Sequence, residues 1–387
     1  MQLSALASNL TPSATLSITT KARALKAEGI DVCDFAAGEP DFDTPEHIKA
    51  ACMAAVDAGF TKYTPSSGIL ELRKAISEKF EAENGLIYSP GQIIVSNGAK
   101  QSCMNAIQAV CEEGDEVIIP APYWLSYPEM VRIAGATPVF VQTREENDWK
   151  ITPEEFEGAM TPRTKMIIIN SPGNPTGSVY SREELTALGD VALEEDISIL
   201  SDEIYEKLVY DGAEHVSIAS ISQELYDLTI TVNGFSKAYA MTGWRLGYLG
   251  APENVAKAID SLQSHTTSNP CSFAQKGGLA AIKGDQQAVE DMREEFNMRR
   301  EYMISRLQNI SGISFTAPKG AFYVLVNISS FNLNSTNFAD SLLSKANVAV
   351  VPGIAFGDPR TIRFSYATSM DIIKSGMDRF EEFCAKL

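Results

Sequence analysis

Short apolar runs alternate with helix-period segments through the middle of this chain, and that alternation limits its fold more than any other feature. Residues 92–96 (QIIVS), 116–119, 138–141, 166–169, 197–201, 228–232 and 246–249 read as strands. Residues 99–111 place Cys103, Met104, Ile107, Val110 and Cys111 at helical spacing, with Gly114 as a stop. Residues 183–194 form a second such helix. Strands that alternate with helices predict an α/β fold whose mostly parallel sheet is flanked by helices. The far end reads differently. A long helix over 293–308, short strands at 322–326, 348–351 and 361–365, and a helix over 370–387 predict an α+β portion. A chain of 387 residues exceeds what one core usually serves. We therefore expect a large domain over 46–292 and a smaller, discontinuous one from 1–45 and 293–387.

The formal net charge of −18 opposes phosphate backbones and anionic membrane surfaces, so neither nucleic acid nor membrane is an expected partner. No apolar run reaches membrane-span length, and the first residues do not read as a signal peptide. Six scattered cysteines without a CxxC pair suit a reducing compartment, and the cytoplasm is the expected location. His47, His215 and His265 stand at no metal-ligand spacing, so no metal site is expected.

In an open α/β sheet, ligands bind beyond the carboxyl ends of the strands. Four strands here end in residues that carry chemistry. They are followed by Asn97-Gly98-Ala99-Lys100, by the loop from Asn170 through Asn174-Pro175-Thr176-Gly177, by Asp202-Glu203-Ile204-Tyr205, and by Asn233-Gly234-Phe235-Ser236-Lys237. Each is ordinary alone: a turn, a helix cap, a solvated lysine. Converging on one crevice, they offer a helix start for an anion, an acid and an amine.

The string from Asn233 to Tyr248, with Lys237, Arg245 and Gly247, resembles the lysine signature of class I, fold type I aminotransferases. Further matching blocks run in family order. They are Ala37-Gly38-Glu39-Pro40-Asp41-Phe42, Lys62-Tyr63-Thr64-Pro65, Pro122-Tyr123-Trp124, Asn174-Pro175-Thr176-Gly177, Ser201-Asp202-Glu203-Ile204-Tyr205 and Ile362-Arg363-Phe364-Ser365. The details are most similar to the bacterial-type aspartate aminotransferases. The resemblance implies pyridoxal 5'-phosphate carried covalently on Lys237, which also moves the substrate proton. It implies that Asp202 pairs with the pyridine nitrogen, that Tyr205 and Asn174 bond the ring phenolate oxygen, and that Trp124 stacks on the ring. The N–H groups of Gly98, Ala99 and Lys100, with Arg245, hold the phosphate. Tyr63 reaches the phosphate of a neighbouring subunit, which implies a homodimer. Arg363 takes the substrate α-carboxylate beside Gly38, and Trp124 and Asn174 also border the substrate.

One subgroup binds the distal carboxylate through an arginine near residues 264–270, but this chain reads SHTTSNP there. The bacterial type places a lysine in the phosphate loop instead, matched by Lys100, with a threonine matched by Thr15. Gly234 stands where many relatives carry serine, so Ser236 is the alternative hydroxyl. These features imply amino transfer between aspartate and 2-oxoglutarate. The alternatives are a glutamate/aspartate–prephenate or another class I aminotransferase, or a carbon–sulfur β-lyase on the same fold. Thr11 lies where some prephenate-using relatives carry a basic residue.

Overall fold

A computed structural model describes residues 2–10 and 14–387, without the side chains of 9, 14–17 and 19. Seven strands form the large sheet. Their spatial order is Ile93–Ser96, Gly247–Gly250, Thr229–Gly234, Ser198–Asp202, Thr164–Asn170, Glu116–Ala121 and Thr137–Gln142. Gly247–Gly250 runs antiparallel to both neighbours, and every other pairing is parallel. Both faces are covered, and the period of two shows how. Met166 and Ile168 pack with Ile107 and Val131 on one side, while Ile167 and Ile169 pack with Leu185 and Leu188 on the other. Truncating such a buried isoleucine to alanine costs about 2–5 kcal/mol. Helix Arg182–Glu194 starts where Ser181 and Glu184 form a reciprocal capping box.

A four-stranded antiparallel sheet joins Val351–Pro352, Thr361–Ser365, Tyr323–Asn327 and Ser314–Phe315 in that order. The N-terminal segment enters this part, because Cys33–Asp34 pairs parallel with Val348–Ala349. Helix Met370–Cys384 lies so close that a Cβ on Gly376 would stand 2.2 Å from the Phe35 ring.

Two elements differ from the sequence expectation. The run 348–351 is not one strand. Val348–Ala349 and Val351–Pro352 belong to different sheets, and the continuous apolar pattern hides the crossing. The long helix is Gln287–Leu307, six residues earlier at its start than expected, so a boundary at 292/293 would fall inside a continuous helix. The cluster around Phe296 also draws in Ile204, Tyr205, Leu208 and Tyr210. Among the described residues, no helix is long and apolar enough to cross a membrane.

Candidate active site

The carboxyl ends of the large sheet open into a cavity of about 520 Å³. Its wall includes Ala99, Lys100, Trp124, Asn174, Asp202, Tyr205, Lys237 and Arg245 from the large-sheet half, and Gly38 and Arg363 from the chain ends.

The start of helix Ala99–Val110 is set by two glycines. Gly98 has φ +85°, and a Cβ there would come 2.6 Å from the Arg245 guanidinium. A Cβ on Gly247 would come 2.2 Å from Ala99 N. Both positions therefore need glycine for close approach. The amides of Ala99 and Lys100 have no protein acceptor among the described residues, and Arg245, anchored by Nη1 donating to Thr242 O at 2.7 Å, stands beside them. That is an anion cradle. The Gly98 amide, expected to share in it, instead donates to Ser96 O at 2.8 Å. A Cβ on Gly234 would press on Gly247 Cα at 3.0 Å and Ile204 Cδ1 at 3.1 Å, so serine does not fit freely there; Ser236 lines the cavity.

Asp202 is buried at the end of its strand. Its Oδ2 accepts from Tyr127 Oη at 2.6 Å, with the Cys103 thiol at 3.8 Å, and its Oδ1 accepts from Ile204 N at 3.2 Å. Burial raises its pKa, and the Tyr127 hydrogen bond opposes that shift. The sequence reading missed Tyr127, although it stands three residues after Trp124, whose ring it meets edge-on at 5.2 Å. Lys237 donates to Gly38 O and is half-buried. Burial lowers its pKa to about 8, with Glu39 opposing and Arg363 and Arg245 reinforcing the shift. Thr44 ties the N-terminal loop to this lysine turn, donating to Ala240 O at 2.7 Å and accepting from Trp244 Nε1 at 3.0 Å.

Tyr205 Oη lies 2.9 Å from Tyr323 Oη. The sequence held no signal for Tyr323, which arrives from the small sheet. Arg363 is 2% exposed, lies 4.2 Å over the Tyr323 ring, and donates to Asn174 Oδ1 at 2.9 Å and Ala36 O at 3.0 Å. Its Nε is buried with no partner, and no carboxylate among the described residues forms an ion pair with it. A Cβ on Gly38 would meet Tyr323 Oη at 3.3 Å. Lys100 Nζ lies 5.0 Å over the Trp124 ring without an ion pair among the described residues, and burial, then Arg245, lowers its pKa. Tyr63 is away from this cavity and 90% exposed. Thr15 lies in helix Ala14–Ala27, but its side chain is outside the described residues, as is all of Thr11. The same helix brings Thr20 and Arg23 to the cavity rim, which the sequence reading did not foresee.

These residues fit pyridoxal phosphate on structural grounds. A half-buried, desolvated amine, a buried carboxylate with no cation among the described residues, helix-start amides with no acceptor among them beside an arginine, and an orphaned guanidinium nitrogen all border one cavity.

The family model for aminotransferase class I and II matches residues 30–380. The aspartate aminotransferase of Bacillus subtilis (strain 168) is 49% identical, with 100% of each chain covered. The aspartate/prephenate aminotransferase of Cereibacter sphaeroides is also 49% identical, over 97% of each. Among solved structures, the Thermus thermophilus aspartate aminotransferase with maleate superposes with a TM-score of 0.95 at 45% identity, covering 99% of each chain. A family match over most of the chain and full-length relatives agree with the strand-end geometry: the chain belongs to the class I and II aminotransferases, pyridoxal-phosphate-dependent transaminases of fold type I.

Proposed function

We propose that this chain is an aspartate:2-oxoglutarate aminotransferase that works by ping-pong amino transfer, with pyridoxal 5'-phosphate held in the cavity. The observation that carries the reading is Arg363, a buried guanidinium with an orphaned Nε and no carboxylate partner among the described residues, sharing a cavity with the half-buried amine of Lys237. A guanidinium fork receives a carboxylate by two parallel bonds. An amine whose pKa lies near 8 is partly neutral at physiological pH and can accept a proton from the α-carbon of a bound amino acid.

The cofactor supplies an electron-withdrawing ring that stabilises negative charge at the substrate α-carbon. Asp202 is the group to hold a proton at the pyridine nitrogen. Tyr205 and Asn174 would bind the phenolate oxygen, Trp124 would cover the ring, and Ala99, Lys100 and Arg245 would hold the phosphate. Lys100 is the cation for the distal carboxylate of aspartate or glutamate, with Thr15 assisting. The exposure of Tyr63 supports a role across a homodimer interface, and six free cysteines support a reducing, cytoplasmic setting. The same reading takes residues 46–292 as the cofactor-binding domain, with the two chain ends as the smaller one.

A second reading adds prephenate as acceptor. It is favoured by relatives named aspartate/prephenate aminotransferase, such as that of Nitrosomonas europaea at 47% identity. Half-reactions with aspartate, glutamate, alanine, tyrosine and prephenate, followed by cofactor absorbance, test both. Aspartate and glutamate are expected to react fastest. Alanine reacting equally well would overturn the dicarboxylate assignment, and release of pyruvate and ammonia in place of amino transfer would make the enzyme a β-lyase.

A further inference from the structure

The turn that carries Asp202 and Tyr205 has a second face. Asp202 and Tyr205 border the cavity, whereas Glu203 and Glu206 meet a buried polar nest on the other side. Glu203 is 1% exposed. Its Oε1 accepts from Ser201 Oγ at 2.8 Å, and its Oε2 accepts from Ser217 Oγ at 2.6 Å and lies 2.9 Å from His215 Nε2. Glu206 accepts from Lys79 Nζ and from Asn84 Nδ2 at 2.8 Å. Asn84 closes the ring by accepting from Lys79 at 2.7 Å and donating to Ser217 at 2.9 Å. Ligand atoms of Glu203, Glu206 and His215 all lie within 4.8 Å of one another, a grouping that could hold a metal ion. The Lys79 ammonium already supplies a cation there.

Two buried carboxylates face one ammonium, so balance calls for a second positive charge, and His215 is placed to carry it. Burial opposes a charge on His215, but Glu203 and then Glu206 outweigh it, so its pKa is raised. Glu206 is held down to about 2, because Lys79 and His215 overcome its burial. The outer charges are Glu83, 3.4 Å from Lys79, and Lys207, 2.9 Å from Glu83. Tyr88, Tyr239 and Tyr248 also stand near the carboxylates, and burial raises all three. Replacing a buried ion network by apolar residues is often neutral or stabilising. Stability therefore gives little reason for this one, and its contact with the turn backing the cavity suggests another use. Glu203 is adjacent to Asp202 and its charge reaches that carboxylate. The backbone is tied as well, with Glu203 N donating to Val232 O at 2.9 Å and Glu206 N to Glu203 O at 3.0 Å.

We propose that Glu203, Glu206, His215 and Lys79 form an electrostatic clasp that positions the Asp202–Tyr205 turn, and that the opposed charges of Glu203 and His215 tune proton affinity on the cavity side. The clasp rests on the functional reading above; its members are positioning residues. The test uses the holoenzyme and titrates the absorbance of the cofactor bound at Lys237 against pH, in wild type, Glu203→Gln and His215→Asn. Removing the negative charge of Glu203 should lower the chromophore midpoint. Removing the positive charge of His215 should raise it. Each shift should be about half a pH unit or more, as expected for a charge in a partly shielded interior. kcat/KM for aspartate should fall about threefold to tenfold in both variants, on the scale of one weakened hydrogen bond. A fall in thermal midpoint with unmoved chromophore midpoints, or shifts of the same sign, would overturn the clasp. Should Glu203→Gln not fold, His215→Asn decides alone, with an unmoved midpoint as the overturning result. A wild type that takes up no cofactor would overturn the functional reading and the clasp with it, whereas normal uptake with unmoved variants overturns the clasp only.

Discussion

The cavity has two walls of different origin. On the large-sheet side, each strand end delivers its side chains within a few residues of the strand, as Asp202 and Lys237 show. On the other side, Gly38 lies hundreds of residues along the chain from Tyr323 and Arg363, and the three meet only because Cys33–Asp34 and Thr361–Ser365 belong to one packed unit. The first wall is suited to hold a constant group and do proton chemistry. The second is suited to select the substrate that comes and goes. On that division, loss of Lys237 or Asp202 from the first wall should abolish chemistry with every substrate and damage to the second should change affinity and selectivity, with Lys100 the one first-wall group proposed to act on the substrate.

The largest effect is expected at Lys237. Lys237→Ala should lower transamination about 10⁴-fold or more for all amino acids while still binding pyridoxal phosphate, measured by single-turnover absorbance. In the cofactor-free protein, the Lys237 amine should become reactive toward aldehydes as pH rises through about 8 instead of the ordinary 10.5. The sign follows from burial, which disfavours the charged amine and frees the neutral nucleophile at lower pH. A reactivity midpoint near 10.5 would remove Lys237 from the buried wall.

Arg363→Lys probes the second wall. Losing the two-pronged geometry should cut kcat/KM about tenfold to a hundredfold for every amino acid, through loss of one charge-assisted hydrogen bond. Cofactor affinity should stay the same, and a parallel loss of cofactor would break the division. Lys100→Ser should impose a loss of similar size on aspartate and glutamate but far less on alanine, since the backbone amides of that loop remain. Equal losses would assign Lys100 to the cofactor or the fold. The smallest effect is expected for Tyr323→Phe, which removes the 2.9 Å contact with Tyr205 across the two walls. A neutral hydrogen bond contributes about 0.5–1.5 kcal/mol, so kcat/KM should fall roughly twofold to tenfold. A hundredfold fall would mean that Tyr323 itself touches the reacting atoms.

The first wall was legible in the chain before folding because a parallel sheet puts successive strand ends on one rim, so local order becomes spatial order. Asn174, Asp202, Lys237 and the Ala99–Lys100 helix start could all be read in this way. The hydrogen bond of the Gly98 amide to Ser96 O could not be read, because it depends on the turn geometry and not on residue type. Tyr127 was missed because a tyrosine at helical spacing looks like core until the Asp202 carboxylate is seen beside it. The single apolar run 348–351 could not reveal that it serves two sheets.

By itself the sequence determined the alternating α/β plan, the site groups at the strand ends and the family, because these depend on periodicity and contiguous residues. Tertiary structure alone decided the rest. It left Arg363 buried without a carboxylate among the described residues, pushed Lys237 to about 8, joined Tyr205 to Tyr323, and gathered Lys79, Glu203, Glu206 and His215 behind the Asp202–Tyr205 turn. Burial and the approach of distant charges set proton affinity, and neither is a property of a residue's neighbours along the chain.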